Sequence, residues 1–296
     1  MKILLSILAH EQNQYIFEML LAVKRLDPMP EKCIYIMDRP SEADWDDAVE
    51  RFRGTCVEPV RFDEIPAHVG RPQMAPTVEY FMAGAARNKA IGLMGEFGCD
   101  GIVFIDGDCI PESGLIGAHA DVMSSGGPIA TVGKRRDELW KYDDQRMASP
   151  DSPVHIFSDT PNRVTNEFYF VDSGVVWTCN FGLNKESVDM LKNLNNRLYG
   201  RSEVFSTDFM GTWGGEDGFL GLECYYGGIP VWTLPDGKNG IVHKPHPRPI
   251  EKYEHHTFIN FLESRREDLM YRLKLIGAEC PDFVPKSILR RQLGLR

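Results

Sequence analysis

The feature that most constrains the fold is an apolar run that ends in two acidic residues. Residues 102–105 read Ile-Val-Phe-Ile, and Asp106-Gly107-Asp108 follow directly. The run is typical of a buried strand, and carboxylates cannot stay in an apolar core unless something cationic meets them. Asp-Gly is also a favoured turn dipeptide, so a solvated turn is the alternative. In both cases the sequence predicts two carboxylates at the end of a central strand.

Short apolar segments alternate with amphipathic ones in the first part of the chain. We predict strands over 2–8, 33–37, 56–62 and 102–105, and helices over 14–24, 45–52 and 77–97. This alternation predicts βαβ units, and therefore a mostly parallel sheet with right-handed crossovers. Ligands of such sheets bind beyond the carboxyl ends of the strands. Asp38, which follows the second strand, and Asp106 are therefore expected on one rim.

The rest of the chain is predicted to continue the same α/β class. We predict strands over 128–132, 168–171, 174–178 and 229–233, and helices over 112–122, 185–194, 216–226 and 251–275. Residues 137–165 are polar and weakly periodic, which is typical of an insertion or loop. Residues 240–247, which include His243 and His246 beside two prolines, are predicted to form a rigid turn.

Composition narrows the class of protein. A chain of 296 residues with 43% hydrophobic content can bury one large α/β core. Its seven cysteines form no C-x-x-C pair, which indicates reduced thiols, predicts no zinc site and favours the cytoplasm, or a host cytoplasm if the source is viral. No segment approaches the roughly 20 apolar residues that cross a bilayer, so we expect a soluble or peripheral protein.

Charge argues against nonspecific nucleic-acid binding by the surface as a whole, because the formal net charge is −10. The balance is uneven, since residues 244–296 hold 11 Lys or Arg against 7 Asp or Glu. This basic C-terminal region could contact an anionic partner, and a solvated helix and tail is the plainer explanation.

Three further motifs carry candidate chemistry. In Trp213-Gly214-Gly215-Glu216-Asp217, the glycines let a ligand approach the backbone, the indole offers a flat wall and the acids open a helix. Acids at a helix start also complement the helix dipole without further function. Arg87-Asn88 supplies donors shortly before the acidic strand, or simply a polar helix face. His243 and His246 are candidate metal ligands or surface residues.

Together these motifs resemble GT-A-fold nucleotide-sugar glycosyltransferases. The pattern is similar to the large family-2 group and to galactosyl- and N-acetylgalactosaminyltransferases, over residues 2–247. The resemblance implies a mixed, mostly parallel sheet flanked by helices, in a domain over 1–248. Residues 1–111 would bind the nucleotide-sugar and residues 112–248 would supply the acceptor and catalytic half, with a C-terminal helix and basic tail over 249–296.

The resemblance also implies roles for individual residues. Asp217 would be the catalytic base, with Glu216 binding the acceptor or the donor sugar. Asp108 and a late histidine, His243 or His246, would hold Mn²⁺ or Mg²⁺ on the donor diphosphate, and we favour His243. The residues implied in donor binding are Ala9, His10, Asp38, Arg87, Asn88, Asp106, Gly107, Trp213, Gly214 and Gly215.

The reaction implied is inverting transfer of one sugar, from a UDP-sugar, to a hydroxyl of a saccharide or glycoconjugate. One alternative acceptor is a hydroxymethylated base in phage DNA, and a second alternative is a non-catalytic nucleotide-sugar-binding protein. A sugar nucleotidyltransferase would carry a glycine-rich loop after the first strand, whereas residues 9–12 contain no glycine. The chain also lacks the Gln-x-x-Arg-Trp signature of processive synthases.

Overall fold

The computed structural model describes residues 1–9, 13–64, 82–137, 178–209, 216–235, 237–245 and 255–275. The predicted strands over 168–171 and 174–178 lie outside these ranges, apart from Thr178. Five of the predicted site residues also lie outside them, namely His10, Trp213, Gly214, Gly215 and His246.

Strands and helices alternate along most of the described chain. The strands are β1 (Ile3–Ala9), β2 (Lys32–Asp38), β3 (Val57–Phe62), β4 (Gly101–Asp106), β5 (Cys109–Pro111), β6 (Ala130–Val132), β7 (Arg135–Asp137), β8 (Phe181–Asn184), β9 (Val231–Thr233) and β10 (Ile241–His243). The helices are α1 (Ile16–Val23), α2 (Glu42–Phe52), α3 (Ala83–Glu96), α4 (Leu115–Met123), α5 (Lys185–Tyr199), α6 (Glu216–Tyr226) and α7 (His255–Leu275).

The main sheet is mixed and mostly parallel, as predicted. Its strand order is β3-β2-β1-β4-β8-β6-β9. Strands β3, β2, β1 and β4 run parallel to one another, whereas β8 is antiparallel to both of its neighbours. We did not predict β8, because it is only four residues long and α5 begins directly after it. Its extended conformation is fixed by pairing with β4 and β6.

A second, three-stranded sheet has the order β5-β10-β7. Our prediction of a turn over 240–247 was wrong at its centre, because Ile241–His243 forms β10, which pairs with both neighbours. The strand places His243 opposite Cys109, directly after the Asp-Gly-Asp turn. The backbone N–H of Lys244 donates to the carbonyl oxygen of Asp108 at 2.7 Å, which fixes this sheet against the turn.

The core lies on both faces of the main sheet. In β1 the alternation sends Leu4 and Leu8 to the face covered by α3 and α5, and Leu5 and Ile7 to the face covered by α1, α2 and α4. A third apolar cluster joins α7 to α5 and α6 through Leu198, Phe219, Leu269 and Leu273. The helical C-terminal extension therefore packs on the helix that begins with Glu216 and Asp217.

The bounds of two predicted helices can be compared with the structure. Helix α3 begins at Ala83, and the preceding backbone N–H of Met82 donates to Oδ2 of Asp38 at 3.0 Å, whereas residues 77–81 of the predicted helix lie outside the described ranges. Helix α5 continues past residue 194 to Tyr199, where Gly200 adopts a left-handed φ of 68° and ends it. None of the helices in the described ranges is long and apolar enough to cross a bilayer.

Candidate active site

The ends of β1, β2 and β4 meet at one edge of the main sheet. Leu8 pairs with Asp106, and Ala9 pairs with Met37, the residue before Asp38. Gly107 lies against this edge, because a Cβ there would be 3.0 Å from Cβ of Ala9. Any other residue at Gly107 would push the Asp-Gly-Asp turn away from β1. The structure therefore brings Ala9, Asp38, Asp106 and Gly107 together.

Arg87 joins this edge to α6. The side chain is buried, and its Nη2 donates to Oδ1 of Asp106 at 2.8 Å while its Nη1 donates to Oε1 of Glu216 at 2.7 Å. Burial by itself lowers the pKa of Arg87, but the carboxylates of Asp106, Glu216 and Asp217 outweigh it and raise the pKa. One guanidinium thus connects two acidic motifs that are far apart in the chain, as its planar fork allows.

Asp217 is poised to exchange a proton near neutral pH. Its Oδ1 accepts a hydrogen bond from the backbone N–H of Gly218 at 2.8 Å. Burial, and then the neighbouring charge of Glu216, raise the pKa of Asp217 to about 7, although Arg87 opposes the shift. A carboxyl with this pKa can accept a proton from a hydroxyl at neutral pH, which is the property of a general base.

Asp106 also has a raised pKa. Burial is the largest cause, the positive charge of Arg87 opposes it, and the charge of Asp108 adds to it. Repulsion between these two aspartates is relieved by any cation that binds between or beside them.

Asp108 faces His243 across the small sheet. Nε2 of His243 lies 3.3 Å from Oδ2 of Asp108, and both side chains are buried. On the other side of the ring, Nη2 of Arg135 lies 3.0 Å from Nδ1. Because a guanidinium only donates, Nδ1 is the acceptor and Nε2 carries the proton toward Asp108. Arg135 is a site residue that our sequence analysis missed, and its only signal was the basic run Lys134-Arg135-Arg136 after a strand.

These residues fit a hard divalent cation. A carboxylate oxygen and an imidazole nitrogen 3.3 Å apart are close enough to bind one cation, and the carboxylate suits Mn²⁺ or Mg²⁺. Coordination by Nε2 requires it to lose its proton, so the hydrogen bond from Arg135 to Nδ1 is the contact that has to change when a cation binds.

Two predicted donor-binding residues besides Arg87 and Asp106 have protein partners in this structure. Oδ1 of Asn88 accepts from the backbone N–H groups of Val204 and Phe205 at 3.1 and 2.9 Å, and its Nδ2 donates to the carbonyl oxygen of Phe205 at 2.9 Å. Asp38 accepts from Nε of Arg39 at 3.2 Å as well as from Met82. Both side chains therefore hold neighbouring loops, and their contact with a donor stays a prediction.

A pair of buried thiols lies directly behind the Asp-Gly-Asp turn. Sγ of Cys109 donates to Oδ1 of Asp108 at 3.2 Å. Burial, then a hydrogen bond with Cys179, raise the pKa of the Cys109 thiol well above its usual range. Both cysteines lie close to Asp106, and these three residues form a cluster that could hold a metal ion. No local pattern announces it, since Cys109 and Cys179 are 70 positions apart.

Comparison with known proteins places the fold. The sequence matches no protein-family model and no curated protein. The structure is similar to Staphylococcus aureus TarS, with a TM-score of 0.55 at 15% identity over 99% of this chain, which spans 42% of the TarS chain. It is also similar to TarS 1–349 in complex with UDP (TM-score 0.60, 14% identity) and with UDP-GlcNAc (0.55, 17%), covering 99% of this chain and 71% and 72% of those chains. The chain therefore has the mixed α/β fold that these TarS structures share.

Proposed function

We propose that the protein is a nucleotide-sugar glycosyltransferase (EC 2.4) that moves one sugar from a UDP-sugar to an acceptor hydroxyl, with Mn²⁺ or Mg²⁺ and with inversion. The observation that carries the proposal is the fork of Arg87, which ties Glu216, the residue before Asp217, to Asp106 of the Asp-Gly-Asp turn. It supports a site in which the proposed base, Asp217, lies close to the sheet edge that would bind the diphosphate. That TarS 1–349 has been solved with UDP and with UDP-GlcNAc supports the choice of donor.

Asp108 and His243 would hold the cation, with His246 as a further candidate, and the bound ion would stabilise negative charge on the departing diphosphate. Ala9, Gly107 and Asp38 would line the nucleoside side of the cleft, with His10. Asp106 would bind the donor while Arg87 keeps its carboxylate oriented. Trp213, Gly214 and Gly215 would lie against the sugar. In this reading, residues 1–111 bind the donor, residues 112–248 complete the site, and residues 249–296 form the C-terminal extension.

Asp217 would accept the proton of the acceptor hydroxyl as that oxygen attacks the anomeric carbon. A hydroxyl has a very high pKa and needs such a base in the transition state, which contributes roughly 10²- to 10⁴-fold to the rate. A base that directs the acceptor to the face opposite the departing diphosphate leads to inversion. Glu216, held by Arg87, would bind the acceptor or the donor sugar.

The test is the release of nucleoside diphosphate from a panel of nucleotide-sugars, with Mn²⁺ and with chelator. We expect metal-dependent release from one donor, strong loss in Asp108→Ala and a loss of roughly 10²- to 10⁴-fold in Asp217→Asn. Asp46→Asn, a change of the same kind at an exposed position in α2, serves as the matched control and should retain full activity.

The other outcomes discriminate between the alternatives. Donor binding without any turnover would favour the non-catalytic nucleotide-sugar-binding protein. Turnover that requires DNA with hydroxymethylated bases, together with steeply salt-dependent binding of duplex DNA, would favour the DNA acceptor over a saccharide or glycoconjugate. If no donor is bound or turned over with metal, the proposal is wrong.

A further inference from the structure

We infer that Cys109 and Cys179, together with Asp106, form a binding site for a thiophilic divalent cation, Zn²⁺, behind the Asp-Gly-Asp turn. The ligand atoms of these three residues all lie within 4.8 Å of one another. The site is distinct from the pair of Asp108 and His243, which offers oxygen and nitrogen to a hard cation. It contradicts the sequence-based expectation that a chain without a C-x-x-C pair holds no zinc.

The spacing is close to what a tetrahedral zinc ion needs. Bond lengths of about 2.3 Å to sulfur and about 2.0–2.2 Å to oxygen put neighbouring ligand atoms roughly 3.3–3.8 Å apart. A set of atoms within 4.8 Å reaches this spacing through small side-chain movements. Asp108 does not belong to this group, so a water molecule would fill the fourth position.

Both cysteines are held on fixed backbone. Cys109 begins β5 and pairs with His243 of β10. Cys179 lies in a 3₁₀ turn, Thr178–Asn180, and Asn180, the last residue of the turn, anchors it. Nδ2 of Asn180 donates to the carbonyl oxygen of Lys134 at 2.9 Å, and the carbonyl oxygen of Asn180 accepts from Gly133 at 3.0 Å. A prearranged pair of sulfurs needs little ordering when a cation binds.

Asp106 is the most exposed of the three proposed zinc ligands. Both cysteines are buried, whereas the side chain of Asp106 is 32% exposed. A cation bound to this carboxylate would have both sulfurs within 4.8 Å of the carboxylate oxygen. Two thiolates with one carboxylate favour Zn²⁺ over Mn²⁺ or Mg²⁺, which prefer oxygen. On binding, each thiol gives one proton to solvent and each sulfur forms one bond to the metal, without change of oxidation state.

Occupation of this site would inhibit the reaction, and this consequence rests on the proposed function. Zn²⁺ would compete with Arg87 for the Asp106 carboxylate, which now accepts from Arg87 at 2.8 Å. It would also place positive charge beside Asp108, the predicted ligand of the catalytic cation, because Oδ1 of Asp108 lies 3.2 Å from Sγ of Cys109. Zinc would in this way lower the proposed donor turnover.

Binding is tested without any activity by adding Co²⁺ to the full-length protein and recording thiolate-to-cobalt charge-transfer absorption in the near ultraviolet. We expect this band in wild type, its weakening in Cys109→Ser and in Cys179→Ser, and its loss in the double variant. Cys56→Ser removes an exposed thiol as the matched control and should leave the band unchanged. A band that is absent from wild type, or that persists in the double variant, overturns the inference.

X-ray absorption at the zinc edge tests the same site in wild type and needs no variant to fold. We expect two sulfur ligands at about 2.3 Å, whereas a shell of only nitrogen and oxygen overturns the inference. Donor turnover then tests inhibition separately: the zinc concentration for half-inhibition should rise at least about tenfold in the double variant. If the band and the sulfur shell are present but no donor is turned over, the site stands and the proposed function fails.

Discussion

Arg87 is 3% exposed, and each of its two terminal nitrogens holds a carboxylate from a different part of the chain. Removing one partner from a buried ion pair leaves an uncompensated charge, which costs about 3–5 kcal/mol. At this residue, stability and the geometry of the site depend on the same two hydrogen bonds.

Arg87→Lys keeps the charge but lacks the fork, so one ammonium cannot hold Asp106 and Glu216 in the same positions. We expect the free energy of unfolding, measured with denaturant, to fall by about 2–4 kcal/mol, with a loss of donor turnover. Arg51→Lys, at an exposed ion pair with Asp47, should change the free energy of unfolding by less than about 0.5 kcal/mol. Equal effects in the two variants would contradict a special role for the fork.

The raised pKa of Asp217 predicts how the rate of the proposed reaction depends on pH. A general base works only when it is deprotonated, and the pKa of Asp217 is raised to about 7 by burial and by Glu216. We therefore expect kcat/KM to increase as the pH rises and to level off above a pH of about 7. A profile that is flat down to about pH 5, measured at saturating metal, would show that this carboxyl is not the base.

The start of helix α3 packs very closely against Phe205 and Ser206, which follow α5, and against Glu216 at the start of α6. A Cβ at Gly84 would be 3.2 Å from the carbonyl oxygen of Ser206, 3.5 Å from Cβ of Phe205 and 3.9 Å from Cβ of Glu216. A Cβ at Gly92, later in the same helix, would meet nothing within 4 Å. Gly84 therefore has little room for a side chain, whereas Gly92 has open space for one.

Gly92→Ala should raise the free energy of unfolding by about 0.5–1 kcal/mol, because alanine favours the helix. Gly84→Ala gains the same preference but must displace backbone at Ser206, so we expect a net loss of about 1–2 kcal/mol and reduced turnover through movement of Glu216. Denaturant unfolding and donor turnover check both variants. A stabilised, fully active Gly84→Ala variant would contradict the close contact.

Helix α6 also carries a buried acid away from the site. Glu223 is fully buried, and its Oε1 lies 4.0 Å from Nη2 of Arg201. Burial raises the pKa of Glu223 to about 8, although Arg201 opposes the shift. Between its usual pKa and about 8 the unfolded chain releases this proton while the folded protein keeps it. The free energy of unfolding contributed by Glu223 therefore falls as the pH rises through this range and is constant above it.

Glu223→Gln removes this dependence. We expect the variant to exceed wild type by roughly 4 kcal/mol in free energy of unfolding at about pH 8, and to show little difference at about pH 4. Glu96→Gln, at an exposed position in α3, should not alter the pH dependence of stability. Denaturant titrations across this pH range give the comparison, and parallel curves for wild type and Glu223→Gln would contradict the raised pKa.

At the scale of the whole molecule, the proposed donor site joins the two sheets. Asp106 ends a strand of the main sheet, whereas His243 lies in the small sheet and α6 begins with Glu216. A ligand that contacts all three parts links them. Ligands that bind only the folded state stabilise it by about 2.7 kcal/mol at a hundredfold excess over Kd.

UDP with Mn²⁺ should therefore raise the Tm by roughly 5 °C or more, and UDP with chelator should raise it much less. Asp108→Ala, compared with its own Tm without ligand, should lose the increment that depends on Mn²⁺. Thermal unfolding followed by circular dichroism gives these values. A Tm that responds equally to UDP with and without the metal would contradict a cation held on the diphosphate.

The sequence by itself determined the features that depend on neighbours in the chain. The strands β1 to β4, the helices between them, the Asp-Gly-Asp turn at a strand end and the acids that open α6 all follow from local periodicity and from the cost of burying charge. The start of α3 could not be predicted in this way, because it depends on a hydrogen bond from Met82 to Asp38, 44 positions earlier in the chain.

Tertiary structure alone decided the rest, because the contacts concerned join distant residues. Strand β8 exists through its pairing with β4 and β6, His243 belongs to a strand through β5 and β7, and Arg87 finds Glu216 at a separation of 129 positions. The meeting of Cys109 and Cys179 is of the same kind. The order of the strands in the sheets determines which of these residues come into contact. That order results from hydrogen bonds between distant segments, and no periodic pattern in the sequence reveals which segments pair.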